Sequence, residues 1–102
     1  MWIMMNDSFL SIVEDEKIAG NLLVRARRAE DIEAVFGNVN PEYTAERDYH
    51  YRISCSRDVV AHKLWERVGA IDYPNFKNSV VSDLRHSLYA KVWEIMHGWQ
   101  IV

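Results

Sequence analysis

Two stretches of this chain alternate in step with a pleated strand, and each keeps its arginines on one parity. In NLLVRAR, Asn21 to Arg27, the residues Leu22, Val24 and Ala26 take one side while Leu23, Arg25 and Arg27 take the other. In YHYRISC, the residues Tyr49, Tyr51, Ile53 and Cys55 share a side, and His50, Arg52 and Ser54 share the opposite one. A period of two is expected when one face of a sheet is covered and the other is wet. A guanidinium is costly to bury unpaired, so the arginine parity faces outward. These two strands therefore require a sheet that is open on one side.

The remaining segments fit around that frame. Residues 2–5 (WIMM) and 9–14 (FLSIVE) are apolar runs split by the turn formers Asn6, Asp7 and Ser8, which reads as a hairpin. Glu30, Asp31 and Glu33 place negative charge in the first turn of a helix over about residues 29–36. Its apolar arc is Ile32, Val35 and Phe36, and Gly37 stops it. The connection NVNPEYTAERD is long for a small domain. Ser56 caps a second helix with an apolar stripe of Val60, Ala61, Leu64, Trp65 and Val68, ending at Gly69. Ser82 caps a third helix that runs to about residue 98. The expected fold is α+β: an antiparallel sheet of about four strands with three helices packed on one face, in the order β-β-β-α-β-α-α.

At 102 residues the chain is expected to form a single domain, 1–102. Apolar residues make up 49% and aromatics 12%, enough for a packed core. The net charge of −3 gives no whole-chain attraction to polyphosphate or to an anionic membrane, so a nucleic-acid role requires a local basic patch. The lone Cys55 excludes an internal disulfide and fits a reducing cytoplasm. The opening MWIMMNDSFL lacks a basic leader and its apolar run is too short for a signal peptide or a membrane span. The expected location is the cytoplasm.

Five motifs in fixed order carry a resemblance. They are W-I-M-x-N-D-x-F-x-S-I-V at Trp2 to Val13, L-x-V-R-A-R at Leu22 to Arg27, D-Y-x-Y-R at Asp48 to Arg52, I-D-Y-x-N-F-K at Ile71 to Lys77, and Y-x-x-V-W-x-I-M at Tyr89 to Met96. The chain resembles a family of small uncharacterised proteins of bacterial genomes and mobile elements. That family has no established activity, so the resemblance implies no catalytic residue, ligand or cofactor.

The residues themselves advertise no catalytic site. His86 and His97 share a helical face, but a rise of 1.5 Å per residue sets them about 16 Å apart, too far for one ion. Glu94 and His97 at i, i+3 read as a solvated polar stripe. Cys55 lacks a base, because His50 has the opposite strand parity. No phosphate loop, nucleophile elbow or carboxylate pair is present. The expectation is a protein that is not an enzyme and uses no cofactor or metal.

Surfaces carry the functional reading. The open sheet face gathers Arg25, Arg27, His50 and Arg52, flanked by Arg28 and Arg57, and guanidinium forks suit carboxylate or phosphate. The expected function is a small binding module docking on a protein partner, of the regulator or host-defence inhibitor type. The alternative is a nucleic-acid-binding domain using the same face. Tyr89, Trp93 and Met96 lie at one edge of a broad apolar stripe on the last helix, either packed against the second helix or forming a dimer or partner surface. Arg85 falls inside that stripe and must snorkel outward or pair with a carboxylate such as Asp72. AIDYPNFKNSVV, Ala70 to Val81, is a corner: Tyr73 before Pro74 is biased to extended backbone, Tyr73 and Phe76 fill space, and Asn75 and Asn78 close turns.

Overall fold

A computed structural model describes Met1–Val102 and divides the chain into two compact units, Met1–Ile71 and Asp72–Val102. The first contains β1 (Trp2–Met5), β2 (Ser8–Glu14), β3 (Asn21–Ala26), α1 (Ala29–Phe36), β4 (Glu42–Tyr43), β5 (Tyr51–Ser56) and α2 (Arg57–Gly69). The second contains α3 (Phe76–Ser79) and α4 (Asp83–Gln100). The class is α+β, as the alternation and helical periods predict. No helix is long and apolar enough to cross a membrane.

All strand pairs are antiparallel, in the order β1-β2-β3-β5-β4. The register sets the expected parity: Ile12, Val24 and Ile53 stand in one row, and Ala26 faces Tyr51. Their side of the sheet meets Ile32, Val35 and Phe36 of α1 and Val60 of α2, forming one core with Leu10, Ile12, Val24 and Ala26. Burial of these side chains supplies the main favourable term, at roughly 1.5–3 kcal/mol for each large aliphatic residue. Gly37 ends α1 at φ 80°, a left-handed conformation that glycine adopts at little cost, and its N–H closes on the Glu33 carbonyl.

Four details depart from the sequence reading. The first turn of the hairpin is tighter, since Ser8 already pairs with Met5 and only Asn6 and Asp7 remain in the loop. The long connection holds the edge strand β4, where Glu42 faces Arg52 and Tyr43 faces Tyr51. The stripe of α2 is narrower than expected: Val60 is buried and Leu64 half-buried, while Trp65 is exposed and stacks on His62 at 5.5 Å. The corner includes a helical turn, α3, in which the Asn75 side chain accepts from the Asn78 N–H at 3.0 Å. There Phe76 stacks on Tyr89 at 5.9 Å, and Lys77 sits 4.7 Å over the Trp93 ring.

Asp31 does more than complement the helix dipole. It is buried, its Oδ2 accepts from the Phe9 N–H at 3.0 Å, and its carbonyl accepts from the Ser8 hydroxyl at 2.6 Å. Helix α1 is thereby fastened to the start of β2. Arg67 adds a second tie, donating to the Ala34 carbonyl at 3.2 Å and pairing with Asp7 in the hairpin turn. Asp31→Ala leaves the half-buried Phe9 donor without its acceptor and should cost about 1–2 kcal/mol. Urea denaturation will show a lower midpoint at unchanged slope. Asp31→Asn retains a carbonyl acceptor and loses less.

Candidate functional site

The open face is organised by one row across all five strands. Trp2 faces Ser11, Ser11 faces Arg25, Arg25 faces Arg52, and Arg52 faces Glu42. Two guanidiniums thus lie opposite each other at the centre of the sheet, an arrangement that is unfavourable unless acceptors surround it. Those acceptors are partly supplied. Arg25 Nη2 donates to Ser11 Oγ at 2.6 Å, and Arg52 Nη2 donates to the Tyr49 carbonyl at 3.0 Å. The Nε of each is buried with no hydrogen-bond partner.

Tyr49 is the platform beneath this row. The residue is 4% exposed, and its ring lies under two guanidiniums, Arg25 at 4.8 Å and Arg27 at 4.5 Å. A guanidinium over a ring face is held by the ring quadrupole. Arg27 is also fixed by donating to the Asp48 carbonyl at 3.0 Å. The three arginines therefore pin the segment that leads into β5.

Of the predicted site residues, Arg25, Arg27 and Arg52 come together and His50 does not join them. Strand β5 begins at Tyr51, so strict alternation does not extend back to Tyr49 and His50. Tyr49 consequently lies with the arginines instead of on the helix-facing side with Tyr51. The exposed His50 ring meets Tyr43 edge-on at 5.7 Å, and Tyr43 in turn contacts Tyr51 at 5.3 Å. Ser11 and Glu42 were missed in the sequence, although Ser11 is the one polar residue inside the FLSIV run, at the parity opposite Leu10 and Ile12.

Beside the row lies a cleft of about 700 Å³ whose charged lining is balanced: Lys17, Arg25, Arg47 and Arg52 against Glu14, Asp15, Glu16 and Glu42. Its wall between β2 and β3 is shaped by Asp15. One carboxylate oxygen accepts from the Lys17 and Ile18 N–H groups at 2.9 and 3.3 Å, and the other accepts from the Ser54 hydroxyl at 2.5 Å. Asn21 Nδ2 donates to that same hydroxyl oxygen at 3.0 Å.

The Ser54 hydrogen bond, aided by the Lys17 amide, holds the Asp15 carboxyl below the usual aspartate range. A depressed carboxylate stabilises the fold above its ordinary pKa, and this contribution is lost as pH falls through the ordinary value to the folded one. Cys55 is the opposite case: half-buried against the core, its thiol is pushed up by desolvation, which disfavours the thiolate. His97 stacks on Trp93 at 5.2 Å, and no three His, Cys, Asp or Glu side chains converge as a metal site would require.

Comparison with protein-family models, with curated proteins and with solved structures finds no match to this chain. The site must be judged by its chemistry. Ser54→Ala removes the strongest cause of the Asp15 shift, so a carboxyl-carbon NMR titration should show the Asp15 midpoint rising toward its ordinary value, with the Cys55 thiol unaffected.

Proposed function

We propose that this protein is a non-enzymatic binding module that docks on a protein partner through its arginine-bearing sheet face, as a regulator or host-defence inhibitor does. The group it receives is a carboxylate of that partner. The observation that supports this reading is the Arg25–Arg52 pair: two facing, half-buried arginines on the open face, each spending one Nη2 hydrogen bond on the protein. A guanidinium carries five N–H donors. A carboxylate brought to the pair meets that surplus and offsets the like-charge repulsion, in short charge-assisted bonds.

The surroundings favour a carboxylate over a polyanion. The four acids lining the cleft repel a phosphate chain, while a single acidic side chain flanked by basic neighbours fits both signs. Tyr49 is covered by arginines and is not free to stack on a base, which separates this face from aromatic nucleic-acid platforms. The work of docking calls for no cofactor, and the reducing cytoplasm suits the lone thiol.

Affinity capture from the native host tests this, with wild type run beside Arg25→Glu/Arg52→Glu and beside Arg47→Glu. Arg47 lies on the cleft rim, and its change leaves the Ser11 and Tyr49 contacts intact. Both variants should lose the partner that wild type retains, and equal recovery by all three defeats the proposal. Tight retention on heparin that falls steeply with salt would instead favour nucleic acid.

A further inference from the structure

Helix α4 carries more apolar surface than its packing within the C-terminal unit uses. Tyr89 and Trp93 lie toward α3, where Phe76 stacks on the first and Lys77 covers the second. Leu84, Leu88, Val92, Ile95 and Trp99 occupy a separate arc, about 80° wide at 100° per residue and roughly a third of a turn away. Their exposures are 63, 51, 37, 75 and 76%. The broad stripe seen in the sequence is therefore two faces, one packed on α3 and one bare.

The bare face has the spacing of a helix-pairing seam, with apolar residues recurring at steps of four and three from Leu84 to Trp99. Its flanks carry little charge. Lys91 stands at one edge, and at the other Arg85 is engaged, donating to the Tyr89 hydroxyl at 3.1 Å. Such a seam offers nothing to complement a charged partner and no row of like charges to hold two copies apart. What it fits is an apolar ridge of equal shape.

We propose that α4 pairs with α4 of a second copy of this chain in a two-fold dimer, the helices antiparallel so that their dipoles oppose. If wholly covered, the face would place such a pair at the low end of specific interfaces. At their exposures the five residues present roughly 600 Å² per chain, against the ~800 Å² per partner of a standard interface. Met96, 58% exposed, borders the seam and adds to it. An interface of this size leaves little surplus over the cost of association, so a weak dimer in the micromolar range is expected.

Sedimentation equilibrium of the full chain from about 1 to 300 µM spans that range and should follow a monomer–dimer curve. Leu88→Glu/Ile95→Glu should weaken the dimer by at least about thirtyfold. The milder Ile95→Ala should weaken it in the same direction and also covers the case in which the double variant misfolds. Ile101→Glu, at a residue 73% exposed but off the arc, should leave the dimer unchanged. A wild-type chain that stays monomeric throughout overturns the proposal, as does a dimer insensitive to Ile95 or equally sensitive to Ile101.

Discussion

Everything in the sheet unit depends on the register of its central strand. Strand β3 pairs with β2 on one side and β5 on the other, so Leu22, Leu23, Val24 and Arg25 each belong to a row that crosses the sheet. Val24 and Ala26 are wholly buried in the core, and Arg25 between them projects to the open face. A slip of one residue would drive a guanidinium into that core and bring an aliphatic pair out to water. The cost of burying the unpaired charge is several times the gain from any single aliphatic contact, so the alternative pairing is strongly excluded. The same constraint that builds the core also creates the arginine row.

This explains which parts were legible in the sequence. Parity depends only on local spacing, so the faces of β3 and of β5 from Tyr51 onward follow directly from NLLVRAR and YRISC. Where a strand begins is a tertiary matter. Tyr49 and His50 continue the alternation on paper, but Tyr49 makes its contacts with arginines from β3 and its end, and pairing starts two residues later. Asp31 does stand in the first turn of α1, as its spacing predicts, but its tie to β2 is not legible for a related reason: its partners Ser8 and Phe9 are distant in sequence. Strand β4, only two residues long, carries no periodic signal at all. On α4 the width of the apolar arc was visible, while its division into two faces depends on where Phe76 and Lys77 sit.

The candidate site is likewise a compromise between structure and recognition. Arg25, Arg27 and Arg52 each donate to the protein and so help hold the approach to β5. That use accounts for the ordering of three long side chains, which would otherwise lose rotamer entropy on binding. A partner group arriving at this face meets guanidiniums already aimed. The balanced acids along the cleft then act against unselective attraction to any anion, favouring fit over net charge.

The pairing of β3 with β5 also shapes how the chain reaches this structure. Its rows join Ala26 to Tyr51 and Asn21 to Ser56, so they enclose all of α1 and β4 in the loop they close. The entropy of that closure is lost before the ladder between β3 and β5 can offset it, whereas Ile32 and Phe36 can already meet Leu10 and Val24 without it. By contrast, α3 and α4 meet through residues close in sequence, from Phe76 to Trp93. Local contacts form in microseconds to milliseconds and non-local strand pairing more slowly. Diluted from denaturant, the chain is therefore expected to form the α3–α4 contacts before the β3–β5 pairing, whose closure is the slower step.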